Sequence, residues 1–132
     1  MDKDKILEFI KSKDVEDLEE IKYKSEIVVL RFFYDFDDDE INAAKAFSDD
    51  ECDDENEGDV WYDEFFLPYL DDIAADNIGE IVEECRDELE IDAQFIVYNV
   101  DKEDYDYAEA ICVFYDKETA VDVDEVLDDL KL

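Results

Sequence analysis

The chain has 132 residues, 46 of them acidic and 12 basic, for a net charge of −34. A surface of that sign repels nucleic acid and anionic membrane alike, so direct binding to either is excluded as a first reading. A disordered acidic chain is excluded as well: 47% of the residues are hydrophobic, and nine Phe, eight Tyr and one Trp are present. One folded domain over residues 1–132, beneath a charged shell, is the expectation.

Apolar residues Ile6, Leu7, Phe9, Ile10, Leu18 and Ile21 predict a helix over 2–21, broken near Ser12–Asp14. The segment 26–36, EIVVLRFFYDF, predicts a strand. Val28, Leu30, Phe32, Tyr34 and Phe36 share one face, and Ile27, Val29 and Phe33 make the other mostly apolar too, as in the centre of a covered sheet. Asp37 and Glu40 give a capping-box start for a short helix through Phe47.

Residues 48–59, SDDECDDENEGD, carry eight carboxylates in twelve positions and read as a loop. The segment 60–66, VWYDEFF, fits either periodicity. Pro68 suits a first helical turn, and an apolar stripe from Leu70 through Ile78 and Cys85 to Leu89 then predicts one helix over about 68–90. Segments 93–101 and 105–116 predict two strands joined as a hairpin, and Asp122 and Glu125 open a last helix. The fold class is α+β: a small three-stranded, largely antiparallel sheet (26–36, 93–101, 105–116) covered by helices.

The chain has no His, and its three cysteines, Cys52, Cys85 and Cys112, form no CxxC pair. Neither a disulfide framework nor a zinc site is expected, and no cofactor. The start, MDKDKILEFIKSK, lacks the apolar stretch of a signal peptide, and the longest aliphatic run, 27–30, is too short to span a bilayer. The expected compartment is a reducing cytoplasm.

One frame of the acidic stretch tests as a calcium loop. From Asp53 the chain reads DDENEGDVWYDE, placing Asp53, Glu55, Glu57, Gly58 and Glu64 at positions 1, 3, 5, 6 and 12 of an EF-hand. Glu stands where the motif wants the shorter Asp or Asn, and Trp61, at position 9, cannot ligate through its side chain. A cation-binding module is therefore an alternative, weaker than a solvated acidic loop.

Enzymatic activity is not expected. Without His, the usual general base and the usual activator of Ser or Cys are missing. Among 46 carboxylates some pair always lies at a useful distance, so pairing carries no information. Glu20-Ile21-Lys22 matches the E-x-K of metal-dependent nucleases, but it falls in the predicted first helix, and the acidic surface would repel the substrate. The only glycines are Gly58 and Gly79, too few for a phosphate loop.

The remaining feature is the charge itself. Adaptation to high salt is one explanation, though Lys outnumbers Arg ten to two and Ile, Phe and Cys are plentiful. The outward residues of the long helix are Asp71, Asp72, Asp76, Glu80, Glu83, Glu84, Asp87, Glu88 and Glu90, with Arg86 the only cation. That is about one net charge per 4 Å, against about 3.4 Å for one strand of DNA. With Asp49, Asp50, Glu51, Asp53, Asp54 and Glu55 of the acidic loop, these carboxylates form a candidate partner-binding surface, and Trp61 and Tyr62 are candidate anchors within it. In size and charge the chain is similar to phage-encoded anti-restriction and anti-CRISPR proteins that mimic DNA, and to acidic immunity proteins that block toxin nucleases. The likeness is one of composition and rests on no motif. It implies a protein that inhibits a basic, nucleic-acid-binding partner. The alternative is an acidic domain without enzymatic activity or a specific role.

Overall fold

The computed structural model describes residues 2–13, 15–53 and 58–132. Helix α1 (Lys3–Lys11) opens on Asp2, whose carboxylate accepts from the Asp4 and Lys5 N–H groups at 3.0 and 3.3 Å. These are two of the donors that a first turn leaves without partners. Ile6 and Ile10, one turn apart, are fully buried.

The expected helix over 2–21 stops at α1. The rest of it forms strand β1 (Glu16–Ile21), antiparallel to β2 (Ile27–Asp35). Leu18 and Ile21 are spaced as on a helix, and Glu and Leu are good helix formers. Pairing overrides that preference: β2 offers an apolar edge, and Arg31 stands opposite Glu19 across the ladder. The register shifts between Glu16 and Glu19, and Asp17 takes a left-handed φ of 51°.

Strand β3 (Asp92–Val97) pairs with β4 (Tyr107–Tyr115), and β4 pairs with β2. The sheet is thus four-stranded rather than three-stranded, antiparallel throughout, with order β1-β2-β4-β3. The strand expected over 93–101 ends at Val97, and residues 98–106 form the connection to β4.

Helix α2 (Asp38–Glu51) begins with the expected capping box. Asp37 accepts from the Glu40 N–H at 2.7 Å, and Glu40 accepts from the Asp37 N–H at 3.0 Å. It runs past Phe47, so residues 48–51 are helical and not loop. Ser48 is buried there, and its hydroxyl donates to the Ala44 carbonyl at 2.7 Å.

The chain is helical again from Asp59. Residues Trp61–Phe66 make a wide π-helical turn, with the Leu67 N–H donating to the Tyr62 carbonyl five residues back. Pro68, lacking an N–H, could not have closed an α-type bond to Glu64. Helix α3 (Leu67–Leu89) follows and ends at Glu90, which is left-handed at φ 53°.

Both faces of the sheet are covered. Val28, Leu30 and Phe32 of β2, with Ala110, Cys112 and Phe114 of β4, meet α1, α2 and α3 in the larger core. Val29, Ile111 and Val113 point the other way, beneath Val126 of the short helix α4 (Val123–Leu130). Alternation along β2 builds both cores from one strand. Among the described residues, no helix is long and apolar enough to cross a membrane.

Candidate functional site

Helix α3 lies on the sheet through Leu70, Ala74, Ile78, Val82 and Cys85, all buried. At about 100° per residue, Asp72, Asp76, Glu80, Glu83, Glu84 and Asp87 share a sector of about 120° away from that stripe. Each of them is exposed, as is Glu88 beside them. Asp72 to Asp87 spans about 22 Å at 1.5 Å per residue. The backbone under this ridge is held by the core, so the carboxylates keep a common line.

Among the described residues, two ion pairs involve this helix. Lys13 binds Glu84 at 2.6 Å, which raises the lysine pKa, and Arg86 is held by Asp92 at 3.1 Å. Among the described residues, Asp72, Asp76, Glu80, Glu83 and Asp87 form no ion pair.

Asp71 does not belong to the ridge. It is half-buried and accepts a hydrogen bond from the Val100 N–H at 2.7 Å, tying the connection after β3 to α3. Burial pushes its carboxyl pKa up, against the opposing pull of that bond.

The acids of the expected loop divide. Asp49, Asp50, Glu51 and Asp53 are exposed around the C-terminal end of α2. Asp54, Glu55 and Glu57 lie outside the described residues. Helices α2 and α3 run antiparallel: Phe47 meets Tyr69 at 5.1 Å, while Asp49 accepts from the Trp61 indole N–H at 3.0 Å. The 49–53 cluster therefore sits beyond the N-terminal end of α3, about 20 Å along the axis from Asp76. Instead, Asp37 and Asp39, at the start of α2, border a groove with Asp76, Tyr69 and Ile73. Sequence spacing offered no signal for that neighbourhood, because it depends on how two helices cross.

Trp61 is not a surface anchor. It is 1% exposed, its ring stacked on Phe66 at 4.8 Å and an interplanar angle of 16°. The π turn places these residues, five apart, on one face. Tyr62 is half-buried, edge-on to both rings, with the Lys102 ammonium 5.1 Å from its centroid. Tyr107, by contrast, is 40% exposed and packs edge-on against Phe33.

The calcium-loop alternative meets a different backbone. Helix already begins at Asp59, position 7 of the frame, and the Gly58 carbonyl accepts from the Tyr62 N–H at 3.1 Å. In an EF-hand, position 7 gives its carbonyl to the ion from within the loop. Asp53 and Glu64 are exposed.

Glu20-Ile21-Lys22 lies at the end of β1, on a strand rather than on the expected helix, and Glu20 pairs with Lys3 at 2.7 Å. The three cysteines are buried and free. Burial pushes the Cys85 thiol up to about 11 and that of Cys112 higher still, the reverse of what a thiolate nucleophile requires.

A half-buried polar network joins the first turns of α2 to α3. Tyr34 donates to Glu40 at 2.8 Å, and Asn77 donates to Tyr34 at 2.7 Å and to Glu40 at 3.3 Å. Burial, then the bond to Glu40, pushes the Tyr34 phenol up. Comparison with protein-family models, curated proteins and solved structures finds no match for the chain.

Proposed function

We propose that this protein binds a basic, nucleic-acid-binding protein through the carboxylate ridge of α3 and inhibits it by occupying the cleft that holds DNA or RNA. The observation that carries this reading is the line of exposed carboxylates Asp72, Asp76, Glu80, Glu83 and Asp87 on one face of a helix anchored to the sheet. A basic cleft binds nucleic acid partly by releasing condensed counterions. A rigid anionic line of similar charge spacing recovers part of that gain and competes for the cleft.

The placement of charge supports a use other than stability. Asp87 and Glu88 stand in the last turn of α3, and Asp49, Asp50 and Glu51 in the last turn of α2, where the helix dipole is already negative. Like charges three and four residues apart along α3 also repel. A fold under selection for stability alone would not repeat both arrangements. A reducing, cytoplasmic setting suits the three free thiols.

The test is a pull-down from host lysate at low and high salt. Salt-released partners are then assayed for displacement of duplex DNA or RNA by the purified protein. Asp76→Lys, Glu80→Lys, Glu83→Lys and Asp87→Lys combined should abolish both capture and displacement while circular dichroism stays unchanged. If this folded variant still captures and inhibits the same partner, the ridge is not the contact.

A further inference from the structure

The two edges of the sheet are built differently. On β1, the register shift between Glu16 and Glu19, the left-handed Asp17 and three glutamates interrupt any further pairing. On β3, the run from Ala93 to Val97 is AQFIV, without a charge.

The direction of the β3 backbone groups follows from one bond. The Tyr98 N–H donates to the Glu109 carbonyl at 2.9 Å, in register with the β3–β4 ladder. Main-chain groups alternate sides along an antiparallel strand. Gln94 and Ile96 therefore address β4, while Phe95 and Val97 turn their N–H and C=O groups to the open side. Ala93 shares the outward phase, and its N–H is taken by the Asp92 carboxylate at 2.9 Å. The free edge thus begins at Phe95.

A groove runs along this edge beneath α3. Ala75, Gly79, Ala93 and Phe95 supply its apolar part, and Asp76, Glu80 and Glu83 its acidic rim. A Cβ on Gly79 would stand 3.2 Å from the tip of the Phe95 ring, so the glycine lets helix and strand close up. Among the described residues, the one cation lining this groove, Arg86, is held by Asp92.

We infer that the open edge of β3 receives an extended, lysine- or arginine-bearing segment of the basic partner as a fifth strand. Its main chain pairs with Phe95 and Val97, and alternate side chains reach the rim formed by Asp76, Glu80 and Glu83. A second copy of this chain is a poor occupant, because it would bring two acidic rims together. The inference rests on the ridge reading and adds the direction and chemistry of what docks there.

The probe is an alternating lysine–valine peptide, set against a twin of the same sequence and charge with every backbone amide N-methylated. Affinities are measured at low salt, with amide hydrogen exchange followed by NMR. The unmethylated peptide should bind about tenfold more tightly, as expected for two main-chain hydrogen bonds. It should also slow exchange at Phe95 and Val97. Val97→Pro removes an outward N–H and no ladder bond, and should weaken the unmethylated peptide and narrow the gap between the two, the Phe95 pairing remaining. Equal affinities on the unaltered protein, with exchange at Phe95 and Val97 unchanged, would overturn strand addition while leaving charge capture by the ridge standing. Failure of both peptides to bind at low salt would sink both readings.

Discussion

The Asp71 carboxylate accepts the Val100 main-chain N–H at 2.7 Å, so the loop leaving β3 is fastened to the first half of α3 by a residue that stands between buried Leu70 and exposed Asp72. One position separates a half-buried, loop-binding carboxylate from an exposed one. Asp72, the next residue, belongs to the ridge, while Asp71 is turned about 100° toward the loop.

Burial raises the Asp71 pKa, which sets the sign of its pH dependence. A raised folded-state value favours the protonated fold, so this contribution to stability is full below the usual carboxylate range and is lost as pH rises through the raised value. Asp71→Asn keeps an acceptor for Val100 and removes the buried charge. It should match the parent in acid and gain on it toward neutral pH in urea denaturation. Asp71→Ala leaves the N–H without its partner and should lose about 1–2 kcal/mol. Neither change should weaken partner capture, in contrast to the ridge substitutions.

Neutralising the ridge should separate stability from binding. Asp76→Asn, Glu80→Gln, Glu83→Gln and Asp87→Asn together relieve repulsion between carboxylates one turn apart, and should stabilise the fold by about 1 kcal/mol. The same variant should lose the partner. A fall in melting temperature would mean that the carboxylates make stabilising contacts.

Salt should act on the whole molecule in the same direction. At a net charge of −34 the folded state repels itself more than an expanded chain does, and screening relieves it. Raising sodium chloride from about 0.02 M to about 0.5 M, where the Debye length shrinks several-fold, should raise the melting temperature. Partner affinity should fall over the same range. A melting temperature independent of salt would contradict this.

Gly79→Ala sets helix propensity against space. Alanine gains about 1 kcal/mol over glycine inside a helix. Its Cβ meets the outer tip of the Phe95 ring at 3.2 Å, and Phe95 is half-buried at a sheet edge where it can shift by a few tenths of an ångström. A net stabilisation of about 0.5 kcal/mol is expected, measured by chemical denaturation. Gly79→Val, which cannot be accommodated by so small a shift, should destabilise.

Tyr23 donates to Asp129 at 2.5 Å and so clamps α4 to the turn between β1 and β2. That bond, chiefly, pushes the phenol up to about 12. The stability it contributes is complete below the ordinary tyrosine value, near pH 10, and is lost as pH rises through about 12. Tyr23→Phe should remove this part of the alkaline transition, read from the pH dependence of melting.

Much of the fold was legible because its signals are local. The D-x-x-E at Asp37 and Glu40 marks the start of α2, and the stripe from Leu70 to Leu89 marks α3 within a residue or two. The two greasy faces of residues 27–33 foretell a strand with cores on both sides. The misreadings share one cause. Residues 16–21 have helical spacing and helix-forming side chains, yet an unfilled edge of β2 makes them a strand. Residues 48–51 look like loop by charge, yet Ser48 and Asp49 are drawn into α2 by contacts with Ala44 and Trp61.

The candidate site shows the same division. Periodicity alone placed Asp72, Asp76, Glu80, Glu83 and Asp87 on one outward face, because a helix whose apolar stripe is buried must turn its opposite side to water. Composition alone set the expectation of a basic partner, because a net charge of −34 repels anionic ones. Tertiary structure decided what periodicity could not. It removed Asp71 from the ridge and sent Trp61 into the core. It brought Asp37 and Asp39 rather than Asp49 and Asp50 beside Asp76, and left the β3 edge open under the acidic rim. The physical reason is range: side-chain periodicity is set by bonds within one element, whereas neighbourhood is set by how separate elements pack and pair.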